Sequence, residues 1–159
     1  MKHQYVFGYG SLMNPKSLAR TIPGEKVLLR ATLSGYQRRF NVQCGDYLYL
    51  NIVPRAKKNV TGVVIPVNDT ELEALKRREY MYACVDISSR LSEALPGPVY
   101  AFIAPDVHIP SLKIPRTYID TCLAGVPEEE RRTWLADSII ENGFEEDSSH
   151  SVYQNLPNE

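Results

Sequence analysis

Apolar positions come first in short runs bounded by glycine, proline or asparagine, and only later at the wider spacing of a helix. Tyr5, Val6 and Phe7 predict a strand that stops in a tight turn at Gly8 and Gly10. Asn14 and Pro15 then predict a helix through Arg20, with Asn14 as N-cap and Pro15 at the first helical position. Lys26–Leu33, Tyr36–Gln43, Tyr47–Val53 and Val60–Val67 predict strands in succession, separated by Gly35, the turn Cys44-Gly45-Asp46 and the polar run Arg55–Asn59. Pro66 places the end of the last of these near an edge.

Beyond that point the period changes. Asn68 with Glu71 has the outline of a capping box, and it opens a predicted helix over 70–79. Tyr82–Ser88 and Val99–Ile103 read as strands again. A helix over 115–124 starts at Pro115 and is capped by Gly125, a second late helix covers 128–142, and the tail from Glu145 is expected to be loosely held. Several strands follow one another with no helix between them. The prediction is therefore an α+β fold, a largely antiparallel, curled or barrel-like sheet with peripheral helices rather than a doubly wound parallel one.

The chain has 159 residues, enough for one domain with a real core, and we assign that domain to residues 1–144. A net charge of −1 offers no field to draw in a phosphate backbone, so nucleic acid is not an expected partner. No apolar run is long enough to span a bilayer and no signal-peptide core precedes the first strand, which predicts a cytoplasmic protein without a membrane partner. Cys44, Cys84 and Cys122 are widely spaced and odd in number, as expected of free thiols in a reducing compartment. His3, His108 and His150 form no metal-ligand spacing.

The residue that stands out is Glu79. At roughly 100° per residue it falls on the same helix face as Leu72 and Leu75, whereas Glu73, Arg77 and Arg78 point elsewhere. A carboxylate held there is desolvated, its affinity for a proton rises, and it suits general acid/base work. A helix frayed by Arg78 would instead leave Glu79 pointing to water or paired with an arginine. The first turn is the second candidate, because exposed N–H groups before a helix can hold a carboxylate or an oxyanion. Ten tyrosines in the chain suit polar pockets or strand rims, since a buried hydroxyl needs a partner, and Tyr9, Tyr80, Tyr82 and Tyr118 lie beside these features. Ser11 lacks a GxSxG context, which argues against a Ser-His hydrolase.

The stretches YVFGYGSLM at 5–13, LEALKRREYMYACVDI at 72–87 and YIDTCLAGV at 118–126 together resemble the gamma-glutamylcyclotransferase-like family in order and spacing. The resemblance implies a small mixed barrel with helices, and an enzyme that converts a gamma-glutamyl amide into 5-oxoproline and a free amine. It implies that the backbone of Tyr9, Gly10, Ser11 and Leu12 binds the gamma-glutamyl group, that Glu79 is the catalytic carboxylate, and that Tyr82 and Tyr118 line the pocket. No cofactor or metal is implied, and the expected partner is a small gamma-glutamyl substrate on a monomer or weak homodimer. Arg78 and Tyr80 stand where family members commonly carry an acidic residue and a glycine. Met13-Asn14 replaces the aromatic residue of the glutathione-specific branch, so glutathione is not the first expectation. Two readings from other classes stay open: a non-catalytic module that binds a small ligand on the same scaffold, and an interaction domain using the late helices and acidic tail.

Overall fold

The computed structural model describes residues 3–145. Strand β1 (Tyr5–Gly8) leads through a 3-10 turn at Ser11–Met13 into the short helix α1 (Pro15–Ala19). A long hairpin follows, β2 (Leu29–Cys44) and β3 (Tyr47–Pro66), then α2 (Asp69–Arg78), β4 (Ala83–Asp86) and β5 (Val99–Ile103). The last part holds β6 (Ile114–Pro115), α3 (Arg116–Ala124), α4 (Arg131–Ala136) and β7 (Phe144–Glu145).

The main sheet has the order β2-β3-β1-β5-β4. Its pairs are antiparallel except β1 with β5. The fold is thus α+β with a largely antiparallel sheet, as the pattern predicts. The five strands do not close on themselves, so the expected barrel is a curled open sheet.

β1 lies inside the sheet, and Val6 and Phe7 are completely buried. It therefore brings the turn that follows it to the centre of the molecule. Asn14 caps α1 by accepting from the Lys16 N–H at 3.0 Å, with Pro15 at the first position. Asn68 and Glu71 form the full capping box of α2, at 2.8 and 2.9 Å. Both N-caps are those predicted, and α2 lies one residue earlier at each end than the expected 70–79, so that Glu79 follows it.

Three sequence expectations are corrected. The first predicted strand of the hairpin starts at Leu29 rather than Lys26, with Val27 left exposed. Gly35 and the run at 55–58 do not end strands. Ser34 pairs with Asn59 and Tyr36 with Pro54, so the segment 55–58 bulges out opposite Gly35, whose φ is +82°. Pro54 is accommodated because its missing N–H falls beside that bulge. Pro66, as predicted, ends β3 at an open side of the sheet: it lies opposite Tyr5 but two residues beyond the last β2 pair, Leu29 with Val64.

The late helix is also shorter than predicted, with a 3-10 turn at Glu128–Glu130 and α4 ending at Ala136. Ile139 instead joins the edge of β2, donating to Arg38 O at 2.8 Å and accepting from the Phe40 N–H at 3.1 Å. An open strand edge outcompetes continued helix there. Apart from Glu145, the expected tail lies outside the described residues. No described helix is long and apolar enough to cross a membrane.

Candidate active site

The three stretches singled out in the sequence meet around one cavity. It is lined by the turn (Tyr9, Gly10, Ser11, Leu12), the end of α2 and the residues after it (Arg78 to Tyr82), Tyr118 of α3 and strand residues such as Leu50. Every predicted site residue is at its wall.

The turn is held from three directions. Met13 N donates to Gly10 O at 3.0 Å and Asn14 N to Ser11 O at 3.0 Å, which closes the 3-10 turn. The N–H groups of Gly10, Ser11 and Leu12 precede that first bond, so they have no carbonyl within the turn to donate to. Asn14 Nδ2 donates to Thr121 O at 3.0 Å, which ties the turn to α3. A Cβ at Gly10 would lie 2.8 Å from Leu50 Cδ2 and 3.7 Å from Tyr118 Oη, so glycine is needed for this close approach.

Tyr9 is fixed at both ends. Its hydroxyl donates to Phe102 O at 2.5 Å, and its carbonyl accepts from Arg38 Nε at 2.9 Å. Arg38 is itself buried, donates also to Thr61 O, and lies 4.8 Å over the Trp134 ring. Burial lowers its guanidinium to about 10. Tyr82 donates to Leu50 O at 2.6 Å, and Leu50 N donates to Tyr118 Oη at 3.3 Å. Tyr118 packs edge-on against Tyr49 at 4.8 Å, which sets its ring.

Glu79 is the C-cap residue of α2, and its N–H still donates to Leu75 O at 2.8 Å. Its side chain is 16% exposed and faces the cavity rather than open water. Burial pushes the Tyr9 phenol well above its ordinary value, with the Glu79 charge the next contributor. Tyr82 is pushed up by burial first, then by Tyr9 and Glu79. The carboxylate is therefore electrostatically coupled to both tyrosines.

Arg78 is the residue the sequence reading misplaced. It does not point away from the core but is 1% exposed. Its Nη1 donates to Ser17 O at 2.7 Å and Thr21 Oγ1 at 3.1 Å. Its Nη2 donates to Ser17 Oγ at 2.6 Å and Ser11 Oγ at 3.2 Å, and its Nε stands 3.7 Å from Glu79 Oε1. The helical signal was present, since Arg78 lies three residues beyond Leu75, but its charge argued against burial. Glu79 thus borders a buried guanidinium as well as apolar groups.

Arg38 was missed for a different reason, because a strand arginine carries no local sign that tertiary carbonyls will surround it. Cys122, fully buried behind the turn, has its thiol pushed up to about 12 by burial. Among the described residues no group of three His, Cys, Asp or Glu side chains gathers to hold a metal.

The family model for gamma-glutamyl cyclotransferase, AIG2-like proteins matches residues 6–117. An uncharacterized human protein, loc79017, superposes with a TM-score of 0.72 at 16% identity, covering 98% of this chain and 99% of its own. A gamma-glutamyl cyclotransferase gives 0.70 at 15% identity, with 97% and 99% covered. The protein At5g39720.1 from Arabidopsis thaliana gives 0.56 at 28% identity, with 69% and 74% covered. No curated protein sequence gives a significant match. The first two likenesses show a common fold, and the family match extends over the turn, Glu79 and Tyr82, so this chain belongs to the gamma-glutamyl cyclotransferase, AIG2-like family.

Proposed function

We propose that the protein is a gamma-glutamyl cyclotransferase, converting a gamma-glutamyl amide into 5-oxoproline and a free amine. The observation that carries this reading is the presence of one carboxylate residue, Glu79, in the wall of the same cavity as the turn residues Gly10, Ser11 and Leu12.

The substrate's glutamyl group lies against the turn, its α-carboxylate accepting from backbone N–H groups. Glu79 takes a proton from the α-ammonium. The freed amine attacks the γ-carbonyl carbon of the same molecule and closes a five-membered ring. The oxyanion that forms is stabilised by turn N–H groups. As the carbon–nitrogen bond to the leaving amine breaks and the carbonyl re-forms, Glu79 returns its proton to that nitrogen; the ring nitrogen then gives up its second hydrogen through Glu79 to the released amine, which departs as an ammonium. Nucleophile and electrophile belong to one molecule, so the protein's main task is to hold it folded, and a positioned acid/base adds about 10²- to 10⁴-fold.

The test is to incubate the protein with a panel of gamma-glutamyl amides and weigh the acidic product. Cyclisation gives 5-oxoproline, whereas hydrolysis gives glutamate, heavier by one water. Glutamate alone rejects the proposal. Saturable binding with neither product assigns the cavity to a non-catalytic binding module instead.

A further inference from the structure

The cavity has a rim that the reaction above does not use. Tyr80 follows Glu79 directly, yet it is the most exposed of the residues lining the cavity, at 56%. Its hydroxyl reaches across to Cys44, the last residue of β2, with Oη 3.7 Å from Sγ. The contact joins the end of α2 to the β2–β3 hairpin at the outer side of the cavity. The deep side is taken by the turn, since Gly10 packs on Leu50, Cys122 and Tyr118.

An amide whose acyl part lies on that turn, with its carbonyl near Glu79, extends outward past Tyr80. This direction rests on the cyclotransferase reading. The surfaces it meets there are soft and uncharged: the Tyr80 ring, Met81 and Cys44. Among the described lining residues the charged ones are Arg78 and Glu79. The guanidinium of Arg78 already donates to Ser17, Thr21 and Ser11.

We propose that Tyr80 is a specificity-determining residue, its ring packing against the leaving amine at the cavity rim and favouring flat, apolar groups there.

The experiment measures calorimetric binding of gamma-glutamyl anilide and gamma-glutamyl methylamide to three chains: Glu79→Gln, and the same chain with Tyr80→Ala or Tyr80→Phe. The Glu79→Gln chain should bind the anilide more tightly than the methylamide. Tyr80→Ala should lower that preference by roughly three- to tenfold, and Tyr80→Phe should keep it within about twofold, because the ring remains. An unchanged preference in Tyr80→Ala overturns the inference. So does an equal loss in Tyr80→Phe, or no saturable binding of either amide to the Glu79→Gln chain. The unmutated chain is assayed for 5-oxoproline in parallel. Absence of that product together with an intact Tyr80-dependent preference rejects the cyclotransferase reading and leaves the rim contact standing.

Discussion

Arg78 donates to the Ser11 hydroxyl at 3.2 Å from the position immediately before Glu79. One guanidinium therefore spans from the helix that carries the carboxylate to the turn that floors the cavity. It reaches α1 as well, through both oxygens of Ser17. A planar fork with five donors suits this task in a way an ammonium does not.

Arg78→Met removes those donors and leaves buried oxygens of Ser11 and Ser17 without them. The expected loss is about 2–4 kcal/mol of unfolding free energy, read by denaturant titration. Arg78→Lys should recover less than half of it, since a point charge on a flexible stem cannot meet all four acceptors. A loss under about 0.5 kcal/mol for Arg78→Met would show that the strut carries no weight.

Glu79→Gln keeps the shape of the side chain and removes its capacity to take and return a proton. Turnover should fall by at least about 10²-fold. With the side chain 16% exposed and an amide oxygen still available to Arg78, the unfolding free energy should move by less than about 1 kcal/mol. A large destabilisation would recast Glu79 as a structural partner of Arg78.

Gly10→Ala places a methyl group 2.8 Å from Leu50 Cδ2. Leu50 can turn a methyl aside, so the fold should survive with a lowered thermal midpoint. Leu50 lines the cavity, however, so displacing its side chain alters the wall behind the turn, and geometry of this kind costs rate. A fall in kcat/KM of roughly tenfold or more, outweighing the change in stability, is expected from steady-state kinetics.

Alkali should destabilise the protein through its buried thiol. Cys122 has an ordinary value of 9.0 and is pushed up to about 12 by burial. Below pH 9 the thiol is protonated in both states and its contribution is complete. Between 9 and about 12 the unfolded chain releases the proton while the folded chain keeps it, so stability falls as pH rises. One pH unit into that window the loss is about 1.4 kcal/mol. Tyr9 and Tyr82 add to it above their ordinary value of 10.0, since both are raised by burial. Thermal midpoints measured from pH 8 to 10.5 should decline, and Cys122→Ala should flatten the first part of that decline.

Local chemistry was readable where one residue and its near neighbours settle the outcome. Asn14-Pro15 and the Asn68/Glu71 pair each satisfy orphan amides within one turn, so sequence and structure agree on both N-caps. Leu72 and Leu75 likewise fixed the face on which Glu79 ends. What could not be read depended on partners distant in the chain. The helix predicted to run to residue 142 stops at Ala136 because the β2 edge captures Ile139. Arg78 and Arg38 are buried because carbonyls and hydroxyls of other elements converge on them, and no local period announces that. The family resemblance named the cavity-lining tyrosines, which periodicity alone did not separate from the rest.

The bond from Asn14 to Thr121 and the packing of Gly125 against Met13 join the opening of the chain to its last third. A growing polypeptide that has emerged only as far as α2 has made its carboxylate but not the wall behind the glycine turn. Competence should therefore appear late during synthesis, when α3 folds back on the beginning. Chains that stop short of it would leave Leu12 and Leu50 without the α3 wall that packs against them.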